Sequence, residues 1–300
     1  MLARRVHYTG QNLNGDIKMN KLFTAALASL AFVGTATADQ IYIDVGADYG
    51  GNTYAQGNGN TTTGWKNSLK LVFESNSTVT DVDGDGTISA GDTIVSTGGL
   101  GFGGTIANNK VTALIDGEGL LATDPSDNGY GSISSSWVLS FRFSDLMGSF
   151  DGTDFNYTSG NIDWLLFDIT NGFGTEVHLF TTSIQSHSYT TGNQVFNGEI
   201  GNFGTDTVNG VAASDIFNIA YGNSSMTFEE YATTMSQNVR FRIDQNTDQP
   251  NVVGVDAQAG EIYISGKHDG SIEFAVPEPA TIAILGLGLL GFAGASRRKS

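Results

Sequence analysis

The sequence predicts a mainly β protein, with a single domain that folds as a β-sandwich or a jelly roll. Short runs of alternating apolar and polar residues recur between residues 41 and 275, and Gly, Asn, Asp and Ser clusters separate them. Forty glycines and only four prolines fit many tight turns between strands. The hydrophobic fraction of 39% allows a sizeable core, and this core must form without disulfides because the chain has no cysteine.

Ten runs have the pattern of strands, and one segment has the pattern of a helix. The predicted strands are 41–45, 69–73, 110–115, 137–143, 163–169, 176–182, 216–221, 239–243, 261–265 and 271–275. The Asp269-Gly270 step predicts a hairpin turn between the last two. The helix is predicted after Thr227, because Thr227 and Glu230 have the spacing of a capping box. No boundary or repeat divides residues 39–276, so we predict one domain there.

The N-terminal segment over 19–38 has the features of a signal peptide: a positive start, an apolar centre over 22–33 and a small-residue cleavage site. The residues at the expected cleavage site are Ala36, Ala38 and Asp39. Residues 1–18 are polar and have no pattern, which indicates a start site assigned too early, with Met19 as the true start. Cleavage before Asp39 is therefore expected to release an exported chain.

Between its two ends the chain is strongly acidic. Residues 39–276 contain seven Lys and Arg against 29 Asp and Glu, which leaves a net charge of −22. Such a surface repels nucleic acid and anionic membranes, so we expect no nucleic-acid partner. The negative charge favours divalent cations, and neutral or cation-bridged polysaccharides, as binding partners. Alternatively, the acidity only keeps an exported protein soluble.

The C-terminal segment over 277–300 has three features in a fixed order. The residues that define its start and its basic end are Pro277, Glu278, Pro279, Arg297 and Arg298, with Lys299 beside the last two. Between them lies an apolar run over 280–295, which is predicted as a short transmembrane helix. Its sixteen residues fall short of the about 20 that span a bilayer. The basic end is expected to stay cytoplasmic, which leaves the large domain outside.

This arrangement resembles the PEP-CTERM sorting signal of Gram-negative bacteria. The resemblance implies a transient stay at the inner membrane and cutting near the Pro-Glu-Pro motif by an exosortase, a membrane cysteine protease. The protein would then reach the cell surface or the exterior. The resemblance also implies a species that makes exopolysaccharide or biofilm. It covers only residues 277–300, so it indicates a destination and not an activity; an ordinary tail anchor is the alternative.

One loop has a sequence that predicts metal binding. Residues 81–92 read Asp-Val-Asp-Gly-Asp-Gly-Thr-Ile-Ser-Ala-Gly-Asp. A twelve-residue loop can supply Ca²⁺ with oxygen ligands from positions 1, 3, 5, 7, 9 and 12. The residues at these positions are Asp81, Asp83, Asp85, Thr87, Ser89 and Asp92. Gly86 stands at position 6, where the chain must bend sharply. The alternative is a solvated acidic turn, in which four aspartates would repel one another.

The loop resembles the EF-hand calcium loop, and most closely its dockerin-like form, which also ends in Asp. The resemblance implies one bound Ca²⁺. The flanking residues 69–73 and 93–96 have the pattern of strands, so the paired helices of a calcium sensor are missing. We therefore expect an ion that stabilises the fold and not a switch.

Together these features predict an exported cell-surface or matrix protein that is non-enzymatic, stabilised by calcium and associated with exopolysaccharide. A carbohydrate-binding module is the first alternative. Trp65, Trp137 and Trp164 are its candidates for stacking on sugars, although packing in the core is the default for tryptophan on strands. A secreted hydrolase is the second alternative, although no group of residues in the sequence has the pattern of a catalytic site.

Overall fold

A computed structural model of the chain describes residues 39–50, 59–100, 105–115, 127–131, 137–169, 176–190, 192–247 and 251–277. They belong to one compact unit, Ala38–Pro277. The residues of the second unit, Met1–Thr37 with Glu278–Ser300, are not among the described residues. The predicted upstream segment, signal peptide and membrane helix therefore fall outside the described residues. So do the processing residues Ala36, Ala38, Glu278, Pro279, Arg297 and Arg298. Across the described ranges, no helix is long and apolar enough to cross a membrane.

Strands dominate the described residues. They are β1 (Ile41–Ile43), β2 (Ser68–Thr80), β3 (Thr93–Gly99), β4 (Lys110–Ile115), β5 (Trp137–Phe150), β6 (Phe155–Ser159), β7 (Asn161–Asp168), β8 (Glu176–Thr190), β9 (Asn193–Gly201), β10 (Thr207–Val208), β11 (Val211–Ala212), β12 (Phe217–Tyr221), β13 (Ser224–Thr227), β14 (Arg240–Thr247), β15 (Asn251–Asp256) and β16 (Glu261–Ala275). One α-helix, α1 (Phe228–Met235), and two short 3₁₀ turns, Asp127–Gly129 and Ala213–Asp215, complete the described elements.

Eight antiparallel strands close into a barrel, in the order β2, β3, β5, β7, β8, β9, β14 and β16. β16 closes the ring by pairing with β2 from Glu261↔Thr80 to Ile272↔Leu69. The prediction of a mainly β chain is confirmed, but the predicted β-sandwich or jelly roll is wrong. Both architectures bury one face of each strand, so both give the same alternating pattern, and here only the pairing between β2 and β16 distinguishes them.

The hairpin predicted at Asp269-Gly270 is also wrong, because β16 runs through this step without a turn. Asp269 pairs with Asn246 on one side and with Val72 on the other. A Cβ atom on Gly270 would lie 2.3 Å from the carbonyl oxygen of Asp244. The glycine therefore allows a close approach of β14, which is the other common reason for glycine inside a strand.

One end of the barrel is filled by aromatic side chains, and we call it the closed end. Phe180 of β8 lies 5.1 Å from Phe217 of β12 and 5.6 Å from Phe228 of α1, measured between ring centroids. α1 begins where the sequence predicts it, because the Thr227 side chain accepts a hydrogen bond from the backbone N–H of Glu230. The three-stranded sheet β1-β12-β13 and α1 thus pack against the barrel at this end.

Both chain ends of the barrel domain meet at the closed end. The backbone N–H of Asp39 donates to the carbonyl of Phe274 at 2.8 Å. The Asp39 carboxylate in turn accepts from the backbone N–H of Val276 at 2.8 Å. The opposite end, which we call the loop end, carries the 81–92 loop between β2 and β3 and the turn over 151–154 between β5 and β6.

Candidate functional site

The 81–92 loop is tied to the loop end of the barrel at several points. The backbone N–H of Asp81 donates to the Gly260 carbonyl at 2.9 Å, and that of Phe150 donates to the Asp92 carbonyl at 2.8 Å. Ile88 packs against a small buried cluster that includes Val79 and Ile94. The turn between β15 and β16 and the last residue of β5 therefore hold the loop in place, and the apolar side chain at position 8 of the loop packs against the protein.

Three of the predicted calcium ligands lie close together. One carboxylate oxygen from each of Asp81, Asp83 and Asp85 falls within 4.8 Å of the others. The Asp81 carboxylate accepts hydrogen bonds from the backbone N–H groups of Gly84 and Gly86, both at 2.7 Å. The bond from Gly86 lowers the pKa of Asp81 below its usual value, so this carboxylate stays ionised.

Gly86 has the backbone conformation that the loop requires. Its φ angle is 78°, in the left-handed region that non-glycine residues rarely adopt. This conformation turns the chain so that the N–H of Gly86 points at the Asp81 carboxylate. The glycine predicted at the sharp bend of the loop therefore has a direct structural reason.

The remaining predicted ligands have different roles in the loop. Thr87 donates to the Asp85 carboxylate through its backbone N–H and its hydroxyl, both at 2.7 Å, and the Ser89 hydroxyl donates to Asp83 at 3.1 Å. Asp92 is only 1% exposed and does not belong to the group of three carboxylates. Its two oxygens accept from the backbone N–H groups of Val82 and Ser89, so Asp92 closes the loop.

The chemistry of the donor set fits a hard cation. All the donors are oxygens, and the clustered carboxylates of Asp81, Asp83 and Asp85 carry a local negative charge. Oxygen-only sites of this kind suit Ca²⁺, which accepts irregular geometry and retains waters, better than they suit softer metals. Asp81, Asp83 and Asp85 would hold the ion, with the backbone carbonyl of Thr87 as a further donor.

A cavity of about 550 Å³ lies inside the barrel towards the loop end. It was not among the features predicted from the sequence. Its apolar wall is largely aromatic and includes Phe73, Phe141, Phe143, Phe155, Trp164 and Phe196. Among the described residues that line it, none is Lys or Arg, and Asp154 is the one acidic residue.

Polar side chains in the cavity wall are linked to one another. The hydroxyl groups of Ser77 and Ser96 lie 2.7 Å apart, and Ser96 lies 2.7 Å from the hydroxyl of Tyr157. Burial raises the pKa of Tyr157, so its hydroxyl remains a hydrogen-bond donor. Across β2 and β16, Ser75 and His268 are joined by a hydrogen bond of 2.7 Å.

The sequence contains one signal for this cavity. In β2 the inward positions are Leu69, Leu71, Phe73, Ser75, Ser77 and Val79, and the two serines interrupt an otherwise apolar series. Small polar residues at the inward-facing positions of a strand leave space that a larger side chain would fill. The signal is weak by itself, because a serine in a strand is also common on a solvent-facing surface.

The tryptophans considered for sugar stacking do not form an exposed platform. Trp137 and Trp164 are both 0% exposed. Trp65 is partly buried and meets Tyr42 edge-on, with the ring centroids 4.9 Å apart. The first two therefore act as core residues, and Trp164 also contributes to the cavity wall.

Residues 275–299 match the model of the PEP-CTERM protein-sorting motif. The match begins at the last residue of β16 and covers the Pro-Glu-Pro motif, the apolar run and the basic cluster. No curated protein and no solved structure is significantly similar to the chain. The sorting tail predicted from the sequence is therefore confirmed. It implies export, a membrane-anchored sorting signal of Gram-negative bacteria and processing by an exosortase.

Proposed function

We propose that this chain, an exported exosortase substrate with a PEP-CTERM sorting motif, is a non-enzymatic protein of the cell surface or the extracellular matrix. In this proposal it binds one Ca²⁺ through the 81–92 loop and associates with exopolysaccharide. The observation that carries the proposal is the match at residues 275–299, because it directs the chain out of the cell. Its partners are the exosortase and, before processing, the inner membrane.

The loop geometry supports the calcium part of the proposal. Three carboxylates with oxygens within 4.8 Å of one another repel each other, and a bound cation would offset this repulsion. The loop links two adjacent barrel strands and is hydrogen-bonded to the chain at Gly260 and Phe150. An ion there would remove the repulsion between the carboxylates and stabilise this end of the barrel, which is a structural role.

The charge of the barrel domain supports the polysaccharide part. A domain with a net charge of −22 repels an acidic polymer unless cations lie between the two. The side chains of Asp83 and Asp85 are exposed, so a cation held there can share its remaining coordination positions with polymer oxygens. Calcium would then act both within the loop and between the protein and the exopolysaccharide.

Co-sedimentation tests this proposal. The compact unit over 38–277, which contains all the described hydrophobic clusters, is mixed with the exopolysaccharide of the source organism in calcium and again in chelator. We expect sedimentation with the polymer in calcium and its loss in chelator and in Asp83→Ala. Asp256→Ala, which alters another exposed turn aspartate, serves as the control. Absence of co-sedimentation in both buffers refutes the exopolysaccharide association.

Processing is tested separately in the full chain. Replacing Arg297 and Arg298 with glutamine, or Glu278 with alanine, is expected to leave the protein in the membrane fraction at its unprocessed size. Normal release of both variants would contradict a role for these residues in sorting. A turnover screen with glycoside and ester substrates tests the alternative of a secreted hydrolase.

A further inference from the structure

We propose that the barrel cavity is a binding site for one uncharged small molecule with an aromatic or aliphatic body and one or two hydrogen-bonding groups. The cavity volume of about 550 Å³ lies within the roughly 300–1,000 Å³ typical of small-molecule sites. A closed barrel of eight strands is also just wide enough to hold one small ligand. This inference does not depend on calcium or on exopolysaccharide.

The sizes of the inward-facing side chains explain why the barrel interior contains a cavity. At the closed end the interior is filled by rings such as Phe180 and Phe274. Towards the loop end, the three adjacent strands β16, β2 and β3 instead present small residues to the cavity: Gly266, Ser75, Ser77 and Ser96. The barrel thus loses side-chain volume on one side of its wall and only towards one end.

Across the barrel from these small residues lies an aromatic surface. In the strand order, β7 stands opposite β16 and β9 stands opposite β3, and they contribute Trp164 and Phe196 to the cavity. An aromatic surface facing small side chains leaves a space suited to a flat, apolar body. Both rings are almost fully buried, so neighbouring side chains cover most of their surface, whereas Phe155 and Tyr157 of the same lining are only half-buried.

The polar groups of the wall determine what else the ligand must carry. Cavities that remain empty are usually apolar, whereas this one presents hydroxyl, amide and imidazole groups. Gln245 donates to Gln194 at 2.8 Å, which leaves amide donors and acceptors of both side chains for a ligand. Hydroxyl or carbonyl groups on the ligand can exchange hydrogen bonds with this pair and with Ser96.

The charge of the wall favours an uncharged ligand. An anion would find no Lys or Arg among the described lining residues, and it would meet Asp154 near the loop end. A charge buried without a partner costs far more free energy than a buried apolar group gains. A cation could pair only with Asp154, which leaves the deeper aromatic part of the cavity to uncharged groups.

The position of the cavity also allows entry. Thr153 and Gly192, in turns at the loop end, are exposed and line the cavity. Asp39 and Val276 meet at the closed end. The cavity therefore reaches the surface at the end of the barrel opposite the point where the chain continues into the sorting tail.

A matched pair of fluorescent probes tests the proposal with the compact unit over 38–277. N-phenylnaphthylamine is uncharged, and anilinonaphthalene sulfonate is the same ring system with an added sulfonate. We expect saturable one-to-one binding of the first probe, with energy transfer from Trp164 that is reduced in Trp164→Phe. The sulfonate should bind at least about tenfold more weakly, because it buries an unpaired charge.

Two cavity-filling variants locate the bound probe. Ser96→Phe and Ser77→Leu are expected to weaken binding of the uncharged probe by about tenfold or more. Val95→Phe is the control, because Val95 immediately precedes Ser96 in β3 and is 43% exposed on the outer face. Circular dichroism and cooperative unfolding establish that each variant folds.

Three results would overturn the proposal: no saturable binding by the unaltered protein, equal binding of both probes, or full-strength binding by a folded cavity-filling variant. If one filling variant fails to fold, the other decides. If both fail, unchanged energy transfer in Trp164→Phe places the probe outside the barrel and overturns the proposal.

Discussion

Replacing Asp83 with alanine is expected to remove most of the stabilisation that calcium gives to the barrel. Asp83 is the most informative of the three clustered aspartates because its hydrogen bonds are the longest, at 3.3 Å from the Asp85 N–H and 3.1 Å from the Ser89 hydroxyl. Asp81, by contrast, accepts two backbone bonds of 2.7 Å that shape the loop. Asp83→Ala therefore removes a ligand while leaving most of the loop geometry intact.

The size of the effect follows from linkage between binding and folding. For a site with three clustered carboxylates, two of them exposed, in an exported protein, we take a Kd of about 10⁻⁴ to 10⁻³ M. Calcium at about 10 mM then multiplies the folding equilibrium constant by roughly 10 to 100. Residues 38–277 number 240, and their unfolding entropy at about 2.1 cal/mol/K per residue converts this factor into a rise in Tm of about 3–5 °C.

Scanning calorimetry of the compact unit in calcium and in chelator measures this shift. The unaltered protein and the Asp256→Ala control should both show it, since Asp256 only accepts turn hydrogen bonds from Gln258 and Ala259. Asp83→Ala should show a shift at least about threefold smaller. An identical Tm of the unaltered protein in both buffers, or an undiminished shift in Asp83→Ala, would refute the calcium assignment.

Two further predictions concern the barrel itself. Phe180→Ala should lower the free energy of unfolding by about 3–5 kcal/mol in urea titration, because the ring is 2% exposed within an aromatic cluster. Val253→Ala at an exposed position should stay within about 0.5 kcal/mol of the unaltered protein, and equal losses would contradict the packing argument. Burial lowers the pKa of His187 despite the opposing charge of Asp154, so the unfolded chain takes up this proton first as the pH falls below about 6.5. Stability should therefore decline from about pH 7.5 to about pH 5.5, and His187→Leu should flatten the decline in Tm; identical slopes would contradict it.

Features that depend on neighbouring residues could be predicted from the sequence. The sorting tail is a linear order of motif, apolar run and basic cluster, and the match at residues 275–299 confirms it. The α1 cap at Thr227 and the left-handed bend at Gly86 likewise follow from the residues immediately around them. Alternation over strands such as β2 identified a mainly β chain, because burying one face of a strand leaves a period of two.

Tertiary structure alone decided the architecture and revealed the cavity. The barrel closes through hydrogen bonds between β2 and β16, which lie far apart in the sequence, and no local pattern specifies which strands pair. The same pairing carries β16 straight through Gly270, where local rules predict a turn. Ser75, Ser77 and Ser96 form a cavity wall only once closure places β2 and β3 across the barrel from Trp164 and Phe196. Pairing and enclosed volume arise from the simultaneous packing of distant segments, whereas helix caps, turns and sorting signals depend on residues a few positions apart.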